Sequence, residues 1–265
     1  MFSLSQMTPA SEDYLLAMVY YCVNRKRRKK KRRRGSDDGD DSPGTAPDPD
    51  GFEFGEAQPY SIEMPGEPPG KWFGTGAARL GLSGMVEEIP YRRVFKGFHP
   101  FTEVALVQNA GKPNRRAGWE GCFSVRKDVS VLWSQASPED RERIERIVWD
   151  AAEATLRMME HRFAVSRVGK ASEGCGYVSA GLVLPMFQHA SSRAQDPDLH
   201  IHVQILNLGV DETGHTRSTD PTPIFENQLL FGAFFQAKVA AGLRTELGLI
   251  LEPDGTGYGI RGSSP

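Results

Sequence analysis

Apolar and polar positions along the chain change period several times, and each period predicts a different element. Leu15, Met18, Val19 and Cys22 recur at i, i+3, i+4 and i+7, the spacing of one buried helical stripe. Thr8 suits the cap of this helix and Pro9 its first turn, where a missing N–H costs nothing. The pattern therefore predicts a helix from Thr8 to about Cys22, with Tyr20 and Tyr21 at its end and off the buried stripe.

From Asn24 to about Pro69 no period survives. Ten basic residues give way to GSDDGDDSPGTAPDPDG and then EMPGEPPG, a composition that cannot bury enough apolar surface to order itself. Order resumes near Lys71, where KWFGTGAARLGLSGMV mixes large apolar anchors with turn-permitting glycines. Two strand-like runs follow, Glu103 to Gln108 and Gly121 to Trp133, the second containing the alternating Val129, Val131 and Trp133. Ser137 before Pro138 opens a long helix through Ile144, Ile147, Val148, Ala151, Leu156 and Met159 to about Phe163.

Gly181 to His189 and Leu199 to Val210 read as two strands joined by the turn-rich SSRAQDPD, and Ile224 to Leu247 as a last long helix stopped by Gly248. Long helices alternating with hairpin strands predict an α+β fold, a mainly antiparallel sheet with long helices packed on it. The expected divisions are an N-terminal segment and helix over 1–23, a disordered insertion over 24–69, a core over 70–257 and a flexible tail over 258–265.

Composition agrees with one or at most two ordered domains: of 265 residues, 39% are hydrophobic and 25% charged. Collagen-like, wholly disordered and small disulfide-stapled classes are excluded. Cys22, Cys122 and Cys175 stand far apart with no CxxC pair, which gives neither a disulfide framework nor a zinc cluster and fits a reducing, cytoplasmic setting. The net charge of -2 hides the unbroken basic run Arg25 to Arg34, without which the chain is net -12. Eight acids between Asp37 and Glu56 lie close by as counter-charge, so net charge alone says little about a nucleic-acid partner. No run reaches the roughly 18 apolar residues of a membrane span. The best stretch, Tyr14 to Val23, is too short, and its positive charge follows rather than precedes it, unlike a secretory signal. The chain reads as soluble, without membrane insertion.

The sharpest local chemistry is His200-Ile201-His202 in an otherwise apolar strand, where a period of two sends both imidazoles to one face. A hairpin return through the polar loop places His189 beside them. Three neutral imidazoles on one rigid face hold a divalent ion while leaving positions open for water or a phosphoryl oxygen. Ligand softness favours Zn, Mn, Fe, Co or Ni over Mg. A lone histidine is more often an ordinary strand residue; three in this register favour a site. His99, His161 and His215 lack such company and read as surface or structural residues.

The segment GLVLPMFQHASSRAQDPDLHIHVQILN, from Gly181 to Asn207, resembles the histidine motif of the TrwC-type (MobF class) conjugative relaxases, members of the HUH endonuclease superfamily. WFGTGAARLGLSGMV, from Trp72 to Val86, is similar to that family's W-x-G-x-GA-x-x-LGL-x-G-x-V segment, and GWEGCFSVRKDVSVLW, from Gly118 to Trp133, to its G-x-D-x-T-F-S-x-P-K-S-V-S segment. The resemblance implies an HUH relaxase-like palm with Tyr20 as nucleophile, Tyr21 as its neighbour, and His189, His200 and His202 as metal-binding residues. Glu120 stands where the pattern has aspartate, to orient a metal-bound histidine or take the tyrosine proton.

The implied activity is metal-dependent nicking of one DNA strand, with a 5′-phosphotyrosine intermediate, in plasmid or mobile-element transfer. The implied cofactor is a divalent metal ion, Mg, Mn or another transition metal. The partners are single-stranded DNA at an origin of transfer and, since no GxxxxGK[ST] loop occurs, a separate helicase and accessory DNA-binding proteins. Arg115, Arg116, Lys127 and Arg193 are candidates for gripping DNA; Arg193 and Asp196 can equally pair and fix their loop.

Departures from the pattern define the alternatives. The second tyrosine of the family corresponds to the single Tyr60, beyond the insertion, Arg126 replaces a proline, and Glu120 lengthens a carboxylate by one methylene. A relaxase-like protein that recognises an origin-like DNA without cutting is the second reading. A three-histidine metallohydrolase, in which the tyrosines play no part, is the third.

Overall fold

The computed structural model describes residues 1–7, 68–169, 176–192, 196–255 and 257–262. The helix expected from Thr8, with Tyr20 and Tyr21, lies outside these residues, as do Tyr60, Arg193 and residues 24–67 of the expected insertion.

The main sheet has five strands in the order β1-β3-β7-β6-β2, every neighbouring pair antiparallel. These are β1 (Phe2–Gln6), β2 (Lys71–Phe73), β3 (Gly118–Ser124), β6 (Leu184–Ser191) and β7 (Pro197–Leu206). Strand periodicity divides their side chains between two faces. Trp119 and Phe123 of β3, Leu184 and Met186 of β6, and Ile201, Val203 and Ile205 of β7 belong to the larger buried core.

That face is covered by two long helices, α4 (Pro138–Phe163) and α6 (Gln228–Leu247). In α4, Ile144, Val148, Ala152, Thr155, Leu156 and Met159 are buried. In α6, Phe231, Phe235, Val239 and Leu243 recur every four residues, so each helix lays one stripe on the sheet. Ser137 accepts a hydrogen bond from Asp140 N and Pro138 opens the first turn of α4. Gly248, at φ 65°, closes α6 in the left-handed conformation that a Cβ would strain. Both helix ends therefore fall where the capping pattern places them. A short preceding helix, α5 (Thr222–Glu226), is separated from α6 by Asn227, so the expected helix from Ile224 is broken near its start.

The opposite face is covered at one end by a smaller core of Trp72, Leu80, Val86, Tyr91, Val94, Phe187 and Leu206. It is built by α1 (Thr75–Arg79) and α2 (Glu88–Lys96). The glycine-rich segment has a steric reason here: a Cβ on Gly76 would stand 2.2 Å from Gly181 O and 2.8 Å from Leu182 O. Glu160 Oε1 secures the same junction, accepting from Thr75 N at 2.8 Å and Leu182 N at 2.6 Å. The remaining strands are β4 (Val165–Val168), β5 (Gly176–Ser179), β8 (Gly209–Val210), β9 (Thr216–Arg217), β10 (Thr219–Asp220), β11 (Leu251–Asp254) and β12 (Gly257–Ile260). They form a three-stranded sheet β10-β4-β5 and the pairs β8-β9 and β11-β12.

Several expected elements are corrected. The strand read over Gly121 to Trp133 ends at Ser124, and a helix, α3 (Lys127–Gln135), follows. Val129 and Trp133 are buried while Val131 is 37% exposed, so the three residues obey i, i+4 and not strict alternation. Glu103 to Gln108 is a run of bends with one bridge, Ala105 to Phe98. The tail expected from 258 includes β12, whose Tyr258 is buried in the larger core. Residues 2–6 of the expected N-terminal segment are an edge strand of the main sheet.

Candidate metal and catalytic site

Beyond the smaller core, the same sheet face becomes polar. Along β7, Leu206 lies in that core, Gln204 Oε1 accepts the buried Tyr91 hydroxyl at 2.7 Å, and His202 and His200 continue the row. The β6–β7 register pairs His189 with His200 and Phe187 with His202. The β3–β7 register pairs Cys122 with His202 and Glu120 with Gln204. Three strands thus bring His189, His200, His202, Glu120 and Cys122 to one patch.

The three imidazoles are mutual neighbours, with ring centroids 4.8 Å apart for His189 and His202, 4.9 Å for His200 and His202, and 5.3 Å for His189 and His200. His200 Nδ1 lies 2.7 Å from the Asp198 carbonyl; since a carbonyl only accepts, this nitrogen carries the proton and Nε2 holds the lone pair. His202 Nδ1 stands 2.7 Å from Glu120 Oε1, a close approach whose two buried atoms are not aligned as a hydrogen bond. The two Nε2 atoms lie 3.1 Å apart, within hydrogen-bond reach of each other, and a cation bound between them would replace that contact. That separation suits two ligands of one ion at about 2.0–2.1 Å each, so the residues present fit a divalent metal.

Electrostatics point the same way. Burial, followed by the neighbouring His202 and His200, pushes His189 down to about 3, and burial lowers His200 despite its backbone hydrogen bond. Both rings are therefore neutral at pH 7, the form that ligates. Burial raises the Cys122 thiol, partly offset by its contact with Ser124. Cys122 Sγ and ring nitrogens of His200 and His202 lie within 4.8 Å of one another. Spacing along the chain gave Cys122 no partner; the signal that could have found it is the period of two that places it on the face of Glu120.

The expected DNA-gripping residues divide. Arg115 is 6% exposed and committed to Phe95 O at 3.3 Å, Asn109 Oδ1 at 2.7 Å and Asn207 O at 3.0 Å. It ties the loop before β3 to the end of β7 and is withdrawn from the role suggested by its charge. Lys127 Nζ donates to Pro197 O at 2.9 Å, at the site end of β7, and Arg116 is exposed. Arg126 Nη2 reaches Asp254 Oδ2 at 2.5 Å, with Nε 3.5 Å from Asp128 Oδ1. In place of the pattern's proline it fastens the β11–β12 hairpin.

A family model described as TrwC relaxase matches residues 45–264. The chain is 28% identical over 192 residues to the multifunctional conjugation protein TraI of Escherichia coli, a match covering 67% of this chain and 11% of that protein. The chain thus spans about a tenth of that relative's length. Among solved structures, the metal-bound conjugative relaxase TrwC in complex with oriT DNA is similar over 100% of this chain and 77% of its own, at 23% identity and a TM-score of 0.72. TrwC in complex with mutant oriT DNA is 27% identical over 72% of this chain and 68% of its own, with a TM-score of 0.64.

Proposed function

The chain belongs to the TrwC relaxase family, and from that premise we propose that it nicks one DNA strand through Tyr20, with Tyr21 beside it, in the transfer of a plasmid or mobile element. The single observation that carries the reading is the convergence of His189, His200 and His202 with both Nε2 atoms of the β7 pair turned toward one point. A divalent ion held by these three histidines would draw charge from the non-bridging oxygens of the scissile phosphate and steady the attacking phenolate.

The protein's own groups supply the rest. The Asp198 carbonyl holds the His200 imidazole in the tautomer that presents Nε2, and Glu120 stands beside the His202 ring, where it would orient it. Burial keeps His189 neutral. Tyr20 attacks phosphorus in line: its O–P bond forms, its proton passes to solvent or base, and the bond to the 3′ oxygen breaks to leave a free 3′-hydroxyl. The 5′-phosphotyrosine retains a high-energy ester for rejoining. The burial of Glu120 Oε1 beside His202 favours an orienting role over proton acceptance.

The proposed partner is single-stranded DNA at an origin of transfer, in keeping with the oriT DNA named for the TrwC complexes, together with a separate helicase and accessory DNA-binding proteins. Among the described residues no helix is long and apolar enough to cross a membrane, and a cytoplasmic setting follows from the proposed reaction.

Covalent capture tests the proposal. The protein with Mn²⁺ and single-stranded oligonucleotides tiled from DNA around its own gene should give a protein–DNA band on a denaturing gel. The band should vanish in Tyr20→Phe and in His200→Ala. Binding of a tile without any adduct would favour the non-cutting reading, and hydrolysis that survives Tyr20→Phe would favour the metallohydrolase.

A further inference from the structure

We propose that Cys122 is a fourth donor to the metal held by His189, His200 and His202, and that its sulfur selects a thiophilic ion such as Zn²⁺ or Co²⁺ over Mn²⁺ or Mg²⁺. The inference rests on the histidine reading above and deepens it.

The placement is set by the sheet. Cys122 is the register partner of His202, one strand over, and two residues from Glu120 on the same face. Its Sγ and ring nitrogens of His200 and His202 all lie within 4.8 Å of one another. A tetrahedral ion with Zn–N of about 2.0–2.1 Å and Zn–S of about 2.3 Å holds nitrogen and sulfur about 3.5 Å apart. The donors therefore need to close by at most about 1 Å, within the reach of side-chain rotation. The Cys122 sulfur is a free thiol that, among the described residues, has a hydrogen-bond contact with Ser124 Oγ at 3.4 Å, a weak tie to exchange for a metal bond. On coordination the thiol gives its proton to solvent and sulfur donates its electron pair.

The chemical consequence follows from softness. Three imidazoles alone accept several first-row ions, whereas an added thiolate favours Zn, Co and Cu and disfavours the oxygen-seeking Mg and Mn. The quoted pattern carries threonine at this position, a hard and neutral hydroxyl, so the preference belongs to this chain.

Cobalt reports both halves of the idea separately. The whole chain, kept reduced, is titrated with Co²⁺ and its spectrum recorded. Visible d–d bands that disappear in His200→Ala are expected from the histidine site. A near-ultraviolet thiolate-to-cobalt charge-transfer band is expected as well, retained in Cys22→Ser/Cys175→Ser and lost in Cys122→Ser and Cys122→Thr. The ratio of Zn²⁺ to Mn²⁺ affinity should fall about ten-fold or more in the Cys122 variants, since even indirect partners of metal sites move affinity by about 10–100-fold. A wild-type protein with d–d bands but no charge-transfer band overturns the role of Cys122 while the histidine site stands, whatever the folding of the variants. A wild-type protein that binds no cobalt, or binds it equally after His200→Ala, overturns both.

Discussion

Glu120 Oε1 stands 2.7 Å from His202 Nδ1, on the diagonal of a ladder that pairs Glu120 with Gln204 and Cys122 with His202. The extra methylene relative to aspartate lets the side chain reach across two positions to the ring, where carboxylate and imidazole meet as a close pair without hydrogen-bond alignment. Both atoms are shut off from solvent, so the contact is felt at low effective dielectric. Glu120→Gln keeps the shape and removes the charge; it should lower metal affinity about 10-fold, and Glu120→Ala by up to about 100-fold. Chelator competition measures both. Unchanged affinity in the alanine variant would remove Glu120 from the site.

Gly76→Ala should damage the fold without touching the site. The added methyl meets two carbonyl oxygens, Gly181 O and Leu182 O, and backbone cannot swing aside as a side chain can. Overpacking of this kind costs about 1–3 kcal/mol, read as a lower urea midpoint. Ala77→Gly, one residue on, supplies a comparison in which a small buried side chain is removed rather than added.

Legibility in the sequence followed the range of the interactions. The stripes of α4 and α6, the cap at Ser137, the stop at Gly248 and the His200-Ile201-His202 alternation are local periodicities and appear where the pattern places them. Val129, Val131 and Trp133 misled because three residues are too few to separate two periods; only the exposure of Val131 decides. The run Glu103 to Gln108 has strand-like composition but almost no partner to pair with, and a strand is defined by its neighbour. Cys122 is hidden in the sequence for a related reason. Its partners are 78 and 80 positions away in sequence and meet it only through the β3–β7 register. Arg115 shows the converse: a cation near a loop reads as a surface group until burial among carbonyls reveals a structural tie.

Arg126→Pro restores the residue of the family pattern and separates backbone from side-chain effects. The backbone at Arg126 has φ -69° and ψ 155°, which proline accepts, so chain stiffening contributes about 0.4–1 kcal/mol of stability. Loss of the partly exposed pairs with Asp254 and Asp128 costs about 0.2–1 kcal/mol. The net change in global stability should be small. The β11–β12 hairpin, however, loses its tie to α3, and amides of Leu251 to Ile260 should exchange faster in hydrogen-exchange measurements. Asp128 provides the control, because its Oδ2 also accepts from Ile260 N at 3.1 Å: Asp128→Ala should loosen the same hairpin without introducing proline. Equal exchange in wild type and both variants would show that the hairpin is held by its apolar contacts alone.

Acid should destabilise the metal-free protein earlier than its exposed ion pairs alone would predict. His189 has an unfolded value near 6.5 and is pushed down to about 3 in the fold, first by burial and then by His202 and His200; His200 is lowered in the same direction, mainly by burial. Between these limits the unfolded chain binds a proton that the folded chain refuses. The stability associated with the neutral rings is therefore complete above about pH 6.5 and is lost as pH falls toward the folded value. The slope is about 1.4 kcal/mol per pH unit for each proton not taken up. Urea midpoints of chelator-treated protein should fall across this window, and His189→Gln, which cannot take up the proton in either state, should flatten the dependence. Added Zn²⁺ should raise the midpoint throughout this window and lose its effect as pH approaches the folded value, where protons begin to compete for the same nitrogens of the folded site. A wild-type midpoint independent of pH from 6.5 to 4, or an identical slope in His189→Gln, would show that these imidazoles are not the neutral, crowded set on which the metal reading depends.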